Sequence, residues 1–256
     1  MARTILITGA SGGLGRALAV EYAKEQDNIL FLSGRNAKEL NKTSELCCKY
    51  NSQIFTKILD VKDKSGSKNW IKEISTSFSL DLIIANAGIS AGTSLGSESK
   101  DQIMEIFNTN LDGVLNIINP AIKIMEKQKF GQIALMSSLA GMRGLPSSPA
   151  YSASKAAVRV YGEGLRGSLS NLGIKVNVIC PGYIKTPMTD VNNFPMPFLM
   201  DAAKAAKIIK KGLNKNKSRI AFPFPLYFVV WLASLISTSI TDPIFSKLPK
   251  KASLED

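Results

Sequence analysis

Tyr151 and Lys155 stand four residues apart, thirteen positions after Ser138. On a helix, residues four apart share a face, so this phenol and this ammonium would enter one site together. A phenol with its ordinary pKa of about 10 is a weak acid or base at neutral pH. An ammonium held beside it favours the phenolate and brings the proton into useful range. A serine hydroxyl can hold the same substrate oxygen. Such a trio moves a proton on and off a carbonyl or an alcohol. By itself Tyr-x-x-x-Lys equally describes a helix with an aromatic core contact and a solvated lysine, so the surrounding elements have to decide.

The N-terminus supplies them. Arg3-Thr4-Ile5-Leu6-Ile7-Thr8 reads as a short buried strand, Gly9-Ala10-Ser11-Gly12-Gly13-Leu14-Gly15 as a glycine turn, and Arg16-Ala17-Leu18-Ala19-Val20 as the start of a helix. Strand, turn and helix N-terminus form a phosphate cradle: glycines admit the pyrophosphate, and the helix start offers unpaired N–H groups and the positive dipole end. The turn lacks the Lys-Ser/Thr ending of a P-loop, which argues against an NTPase. Short apolar runs near 3–8, 28–33, 53–58, 81–85, 131–137, 174–180 and 218–222 alternate with helical stretches, the longest near 99–126 and 150–171. That alternation predicts an α/β fold, a doubly wound parallel sheet of about seven strands with helices on both faces.

The ordered set of motifs resembles the short-chain dehydrogenase/reductase family over about residues 3 to 190. In that resemblance Gly9, Ser11, Gly13, Leu14 and Gly15 form the cofactor loop, and Asp60-Val61 lies beside the adenine. Asn86-Ala87-Gly88 steadies the central sheet. Asn110, Ser138, Tyr151 and Lys155 make the catalytic tetrad, with Tyr151 and Lys155 also touching the cofactor. Pro181-Gly182, Ile184 and Thr186 hold the nicotinamide amide. The implied roles are hydrogen bonds from Ser138 and Tyr151 to the carbonyl oxygen and proton donation by Tyr151. Lys155 would bind the ribose and lower the phenol pKa, and Asn110 would hold a water behind Lys155. Ser137 is the neighbouring alternative to Ser138, and the family's usual interval to the tyrosine favours Ser138.

The second strand ends Leu32-Ser33-Gly34-Arg35-Asn36. NAD enzymes of this architecture carry an acid here for the ribose 2′-hydroxyl. Gly34 removes that like charge, Arg35 can clamp a 2′-phosphate in bidentate fashion, and Ser33 and Asn36 can add weaker bonds. The resemblance therefore implies NADP(H). Gly12, where many NADP-preferring relatives are basic, departs from that pattern, and an Arg35 stacked on adenine would leave NAD acceptable.

The chain has 256 residues, no histidine, three cysteines and a formal net charge of +12. Absent histidine excludes a Ser-His-Asp triad and a His-based metal site. Cys47, Cys48 and Cys180 fit no zinc spacing and read as reduced thiols in a cytoplasmic setting. The basic balance comes without a nucleic-acid motif, so a generally basic surface is expected, with no nucleic-acid partner. One cluster, Lys204, Lys207, Lys210, Lys211, Lys215, Lys217 and Arg219, precedes a run from 220 to 241 that holds no charge. Pro223 and Pro225 are expected to break that run and leave residues 226–236, short of the roughly 20 residues a span needs. We expect a catalytic domain over 1–222 and an apolar extension over 223–256. The extension would serve as an interfacial helix on a membrane face, a lid or a subunit contact.

The expectation is an NADP(H)-dependent oxidoreductase that interconverts a carbonyl and an alcohol on a hydrophobic small molecule, as a homodimer or homotetramer. The alternatives are an NAD-dependent alcohol dehydrogenase and a cofactor-binding sensor or scaffold without turnover.

Overall fold

The computed structural model describes residues 3–93, 96–249 and 251–253. The largely apolar runs predicted as strands pair in parallel: β1 (Thr4–Ile7), β2 (Ile29–Gly34), β3 (Gln53–Ile58), β4 (Leu82–Ala85), β5 (Gly131–Met136), β6 (Ile174–Pro181) and, at the edge, residues Arg219–Phe222. Two short strands, β7 (Ile184–Lys185) and β8 (Met200–Asp201), pair outside this sheet, so the edge strand is β9. The order β3-β2-β1-β4-β5-β6-β9 reverses direction between β1 and β4. A ligand crevice opens at such a reversal, beyond the carboxyl ends of the strands.

Helices cover both faces. On one lie α1 (Gly13–Ala23) and α2 (Ala37–Cys47), with α8 (Ala202–Asn214) packed on α1; their core includes Leu18, Tyr22, Leu40, Ile209 and Leu213. On the other lie α3 (Lys64–Ser77), α5 (Gly113–Gln128) and α6 (Pro149–Ser168), around Trp70, Ile71, Ile117, Val158 and Leu135. Side-chain oxygens of Asn36, Asp63 and Ser99 accept the first free N–H groups of α2, α3 and α4 (Lys100–Phe107), which fixes where those helices begin. The short α7 (Pro187–Asp190) follows β7.

Three expectations are corrected. The helix expected near 99–126 is two, α4 and α5, joined by a π-helical turn at Asn108–Asp112 in which the Gly113 N–H reaches the Asn108 carbonyl. The extra residue turns Asn110 inward, and such turns gather at functional sites. The helix expected over 150–171 ends at Ser168 and gives way to a 3-10 turn at Ser170–Leu172. Pro225 does not end the C-terminal apolar run. It sits in the first turn of α9 (Phe224–Leu235), where its missing N–H costs nothing, and α10 (Thr238–Phe245) follows. Among the described residues no helix is long and apolar enough to cross a membrane.

Candidate active site

The nucleotide end of the crevice is built from backbone. Gly9 has φ +68, and a Cβ there would lie 2.8 Å from the Ala87 Cα. A Cβ at Gly15 would lie 2.1 Å from the Gly9 carbonyl oxygen, so only glycine lets α1 start this close to the turn. Thr8 Oγ1 accepts the N–H groups of Asn86 and Ala87, both at 3.1 Å, and Asn86 Nδ2 donates to the Thr8 carbonyl at 3.0 Å. The Asn-Ala-Gly element thereby ties β4 to the glycine turn. The cap of α1, Gly12, makes no side-chain hydrogen bond, leaving first-turn N–H groups free. Ser11 Oγ is buried there without a partner among the described residues. Free donors, an orphaned hydroxyl and glycine walls fit a pyrophosphate. Leu14 presents only backbone to this site, because its side chain packs on the core.

A cavity of about 210 Å³ continues from Gly9 and Ser11 past Gly34, Arg35, Asn36, Asp60 and Val61 to Ala87 and Gly88. Leu59, Ile89 and Thr109 also line it and went unnoticed in the sequence, where each is an ordinary residue one or two places from a motif. Arg35 reaches outward at its rim, 4.0 Å from Asp60 Oδ2, with its side chain 56% exposed. One expected phosphate contact is corrected. Ser33 is fully buried, as parallel strands bury both faces, so its hydroxyl does not line the cavity. Asn36 lines the cavity, and its Oδ1 accepts the Glu39 N–H at 3.1 Å as the cap of α2.

The opposite end is built from side chains. Ser138 follows β5; its Oγ accepts the Ala140 N–H at 3.1 Å, donates to the Pro181 carbonyl at 3.4 Å and is hydrogen-bonded with Tyr151. Ser137 is spoken for: its Oγ donates to the Lys155 carbonyl at 2.7 Å and its N–H to Ile179. The structure thus separates the two serines. Lys155 Nζ donates to the Met136 carbonyl at 3.0 Å and lies 5.8 Å from the Tyr151 ring centroid. Asn110 is fully buried; Oδ1 accepts the Ile89 N–H at 2.8 Å and Nδ2 donates to the Ile89 carbonyl and to Ser154 Oγ. A Cβ at Gly88 would stand 3.2 Å from Lys155 Nζ and 2.9 Å from Asn110 Oδ1, so glycine keeps the gap between those two groups open.

Burial pushes the Tyr151 phenol upward, and the Ser138 hydrogen bond pulls it partly back. Burial also lowers Lys155 to about 8. The expected depression of the phenol by Lys155 is absent in this arrangement. The ammonium is turned to the Met136 carbonyl, and its own charge is disfavoured by the same burial.

Beyond β6, the Gly182 N–H donates to Phe222 at 2.8 Å, and a Cβ on Gly13 would touch Thr186 Cγ2 at 3.1 Å. The loop carrying Pro181, Gly182 and Thr186 therefore returns over the glycine turn. Thr186 caps α7, and Ile184 is buried in the core with its carbonyl accepting Thr189 Oγ1. One further group was missed altogether. Lys251, from the far C-terminus, places its ammonium 5.6 Å from the Tyr151 ring centroid.

A sequence model described as "short chain dehydrogenase" matches residues 3–195. This chain belongs to the short-chain dehydrogenase/reductase family. An "uncharacterized oxidoreductase" of Myxococcus xanthus is 33% identical over 96% of this chain and 97% of its own length. The 3-oxoacyl-(acyl-carrier-protein) reductase of Staphylococcus aureus is 34% identical over 74% of this chain and 78% of its own. The crystal structure of a Burkholderia phymatum short-chain dehydrogenase/reductase in complex with NAD superposes with a TM-score of 0.81. It covers 98% of this chain and 97% of that one at 21% identity. The seven-stranded Rossmann-type sheet is thus the family's fold.

Proposed function

We propose that this oxidoreductase uses NADP(H) to interconvert a carbonyl and an alcohol on a hydrophobic small molecule. The observation that carries the proposal is the hydrogen-bonded pair Ser138 and Tyr151 with Lys155 close by, its ammonium next to Gly88, which lines the glycine-walled cavity. The nicotinamide, when bound, supplies or accepts the hydride. Ser138 and Tyr151 then hold the substrate oxygen, and Tyr151 gives or takes its proton. Lys155 reaches the ribose hydroxyls and, once turned from Met136, stabilises the phenolate. Asn110 holds the Ile89 backbone and one side of the gap that lets Lys155 exchange protons with solvent. The NADP preference rests on Gly34, which removes an acid from the ribose, and on Arg35 at the rim. The NAD complex above keeps NAD as the competing cofactor. Oxidation of NADPH and NADH, followed at 340 nm against carbonyls of graded chain length, tests the reading. No oxidation of either in the presence of any carbonyl, with cofactor still bound, would favour a sensor or scaffold.

The C-terminal extension, 223–256, supports an addition to that reading; its Lys250 and residues 254–256 lie outside the described residues. No residue of α9 is buried: Phe224, Val229 and Leu235 are 71%, 62% and 64% exposed. Leu226 and Tyr227 touch the body, against Leu139, Val178 and Cys180. A cavity lined by Lys211, Lys215, Lys217 and Arg219 lies beside β9, directly before this apolar helix. Cations next to exposed apolar side chains suit an anionic membrane surface. The intact protein should sediment with anionic vesicles, and salt should weaken that binding. Truncation after Phe222 should release it. A protein that ignores vesicles but changes mass on truncation would make α9 a subunit contact instead.

A further inference from the structure

The C-terminal segment crosses the substrate end of the crevice and is fastened on both sides. On one side Arg143, in the loop after Ser138, donates to Thr241 Oγ1 at 3.0 Å and to Asp242 Oδ1 at 2.8 Å, and lies over the Phe245 ring. On the other, the Gly92 N–H donates to the Ala252 carbonyl at 2.7 Å. A Cβ on Gly92 would stand 2.4 Å from the Lys251 Cβ, so glycine is what lets the tail lie this close. Lys251 Nζ donates to Ser90 Oγ at 2.6 Å and faces Tyr151. Two ammoniums therefore attend one phenol. Lys155 is held from behind by a carbonyl and has its role in the proposed reaction. Lys251 comes from the tail that lies against Ser90 and Gly92.

Lys251, unlike Lys155, has no part in that reaction. It is largely withdrawn from water, and burial lowers its pKa to about 8. No carboxylate among the described residues pairs with it. A withdrawn cation without a countercharge is costly unless something anionic joins it. Its ammonium stands 5.6 Å from the ring centroid of Tyr151, the residue whose hydroxyl the proposed reaction uses.

We propose that Lys251 is a specificity-determining residue, whose ammonium pairs with a carboxylate lying a few bonds from the reacting carbonyl. The substrate class is then an oxo acid, or the matching hydroxy acid, whose apolar remainder extends away from Lys251. This rests on the carbonyl–alcohol reading above and narrows its substrate.

The test compares an acid with its neutral ester. With reduced nicotinamide cofactor present, calorimetry would measure binding of 3-hydroxyoctanoate and of methyl 3-hydroxyoctanoate to the full-length protein, a dead-end complex that needs no turnover. The acid should bind at least about tenfold more tightly than the ester. Lys251→Met should erase that preference, and Lys251→Arg, which keeps the charge, should retain most of it. Equal binding of acid and ester by the unaltered protein would overturn the proposal. So would a preference that survives Lys251→Met, or equal losses for both ligands, which would mark a structural lysine. Turnover is measured separately with 3-oxooctanoate. Acid preference without turnover would sink the carbonyl–alcohol reading and leave the anion site standing.

Discussion

The two ends of the crevice are made differently. The nucleotide end is a surface of backbone: glycines at 9, 13 and 15, a helix start without a side-chain cap, and an Asn-Ala-Gly element tied to Thr8. The reacting end is a meeting of side chains from separate segments: Ser138 after β5, Tyr151 and Lys155 on α6, Asn110 in a π-helical turn, and Lys251 on the tail. Backbone tolerates almost no added atom but carries little chemical identity. Side chains tolerate substitution sterically and lose their chemistry when changed. The first end should therefore fail by binding and the second by turnover.

The sharpest break of that contrast is Tyr151→Phe. It keeps the ring and removes the proposed proton, so kcat should fall by about a hundredfold or more while cofactor affinity stays within about twofold. Retention of more than a few per cent of kcat would take the acid role from Tyr151. At the other end, Arg35→Ala should cost NADPH about 1.5–3 kcal/mol, roughly tenfold or more in affinity, and NADH much less. Parallel weakening of both cofactors would leave the 2′-phosphate unread by Arg35.

A smaller effect comes from Lys155 in the cofactor-free protein. Its folded pKa of about 8 lies below the ordinary 10.5, so above pH 8 the unfolded chain binds more protons. Stability should therefore rise as pH increases from 8 towards 10.5. The buried thiols of Cys47 and Cys180, raised to about 12 and about 11 from 9.0, oppose this above pH 9. The window to use is pH 8 to 9, where Lys155 should contribute about 1 kcal/mol. Denaturant titrations of Lys155→Met across that unit should show the smaller rise; an identical rise would mean Lys155 does not titrate as buried.

The same contrast explains what could be read in advance. All seven strands of the main sheet and the glycine turn were legible, because backbone elements depend on local periodicity and on residues close in sequence. Ser138 was separable from Ser137 only by an interval, and the structure gives the reason: Ser137 holds the Lys155 carbonyl. Ser33 was misplaced because a strand buried on both faces shows no alternation to tell inside from outside. The π-helical turn left no trace, since one extra residue scarcely shifts an apolar period. Lys251 was invisible for a different reason. It stands in a charged tail among other lysines, and only the fastening of that tail at Arg143 and Gly92 brings it to Tyr151.

Arg143 links the outside of the molecule to its interior. It grips α10 with its guanidinium and belongs to the loop that begins at Ser138. Whatever settles on α9 and α10 and whatever ligand rests against Ser138 thus press on one shared piece of chain. If they feel each other at all, the effect must be mutual: the factor by which a surface sharpens ligand affinity is the factor by which ligand tightens the protein's hold on that surface. A filled crevice would then alter where the protein resides, and its residence would alter how readily the crevice fills.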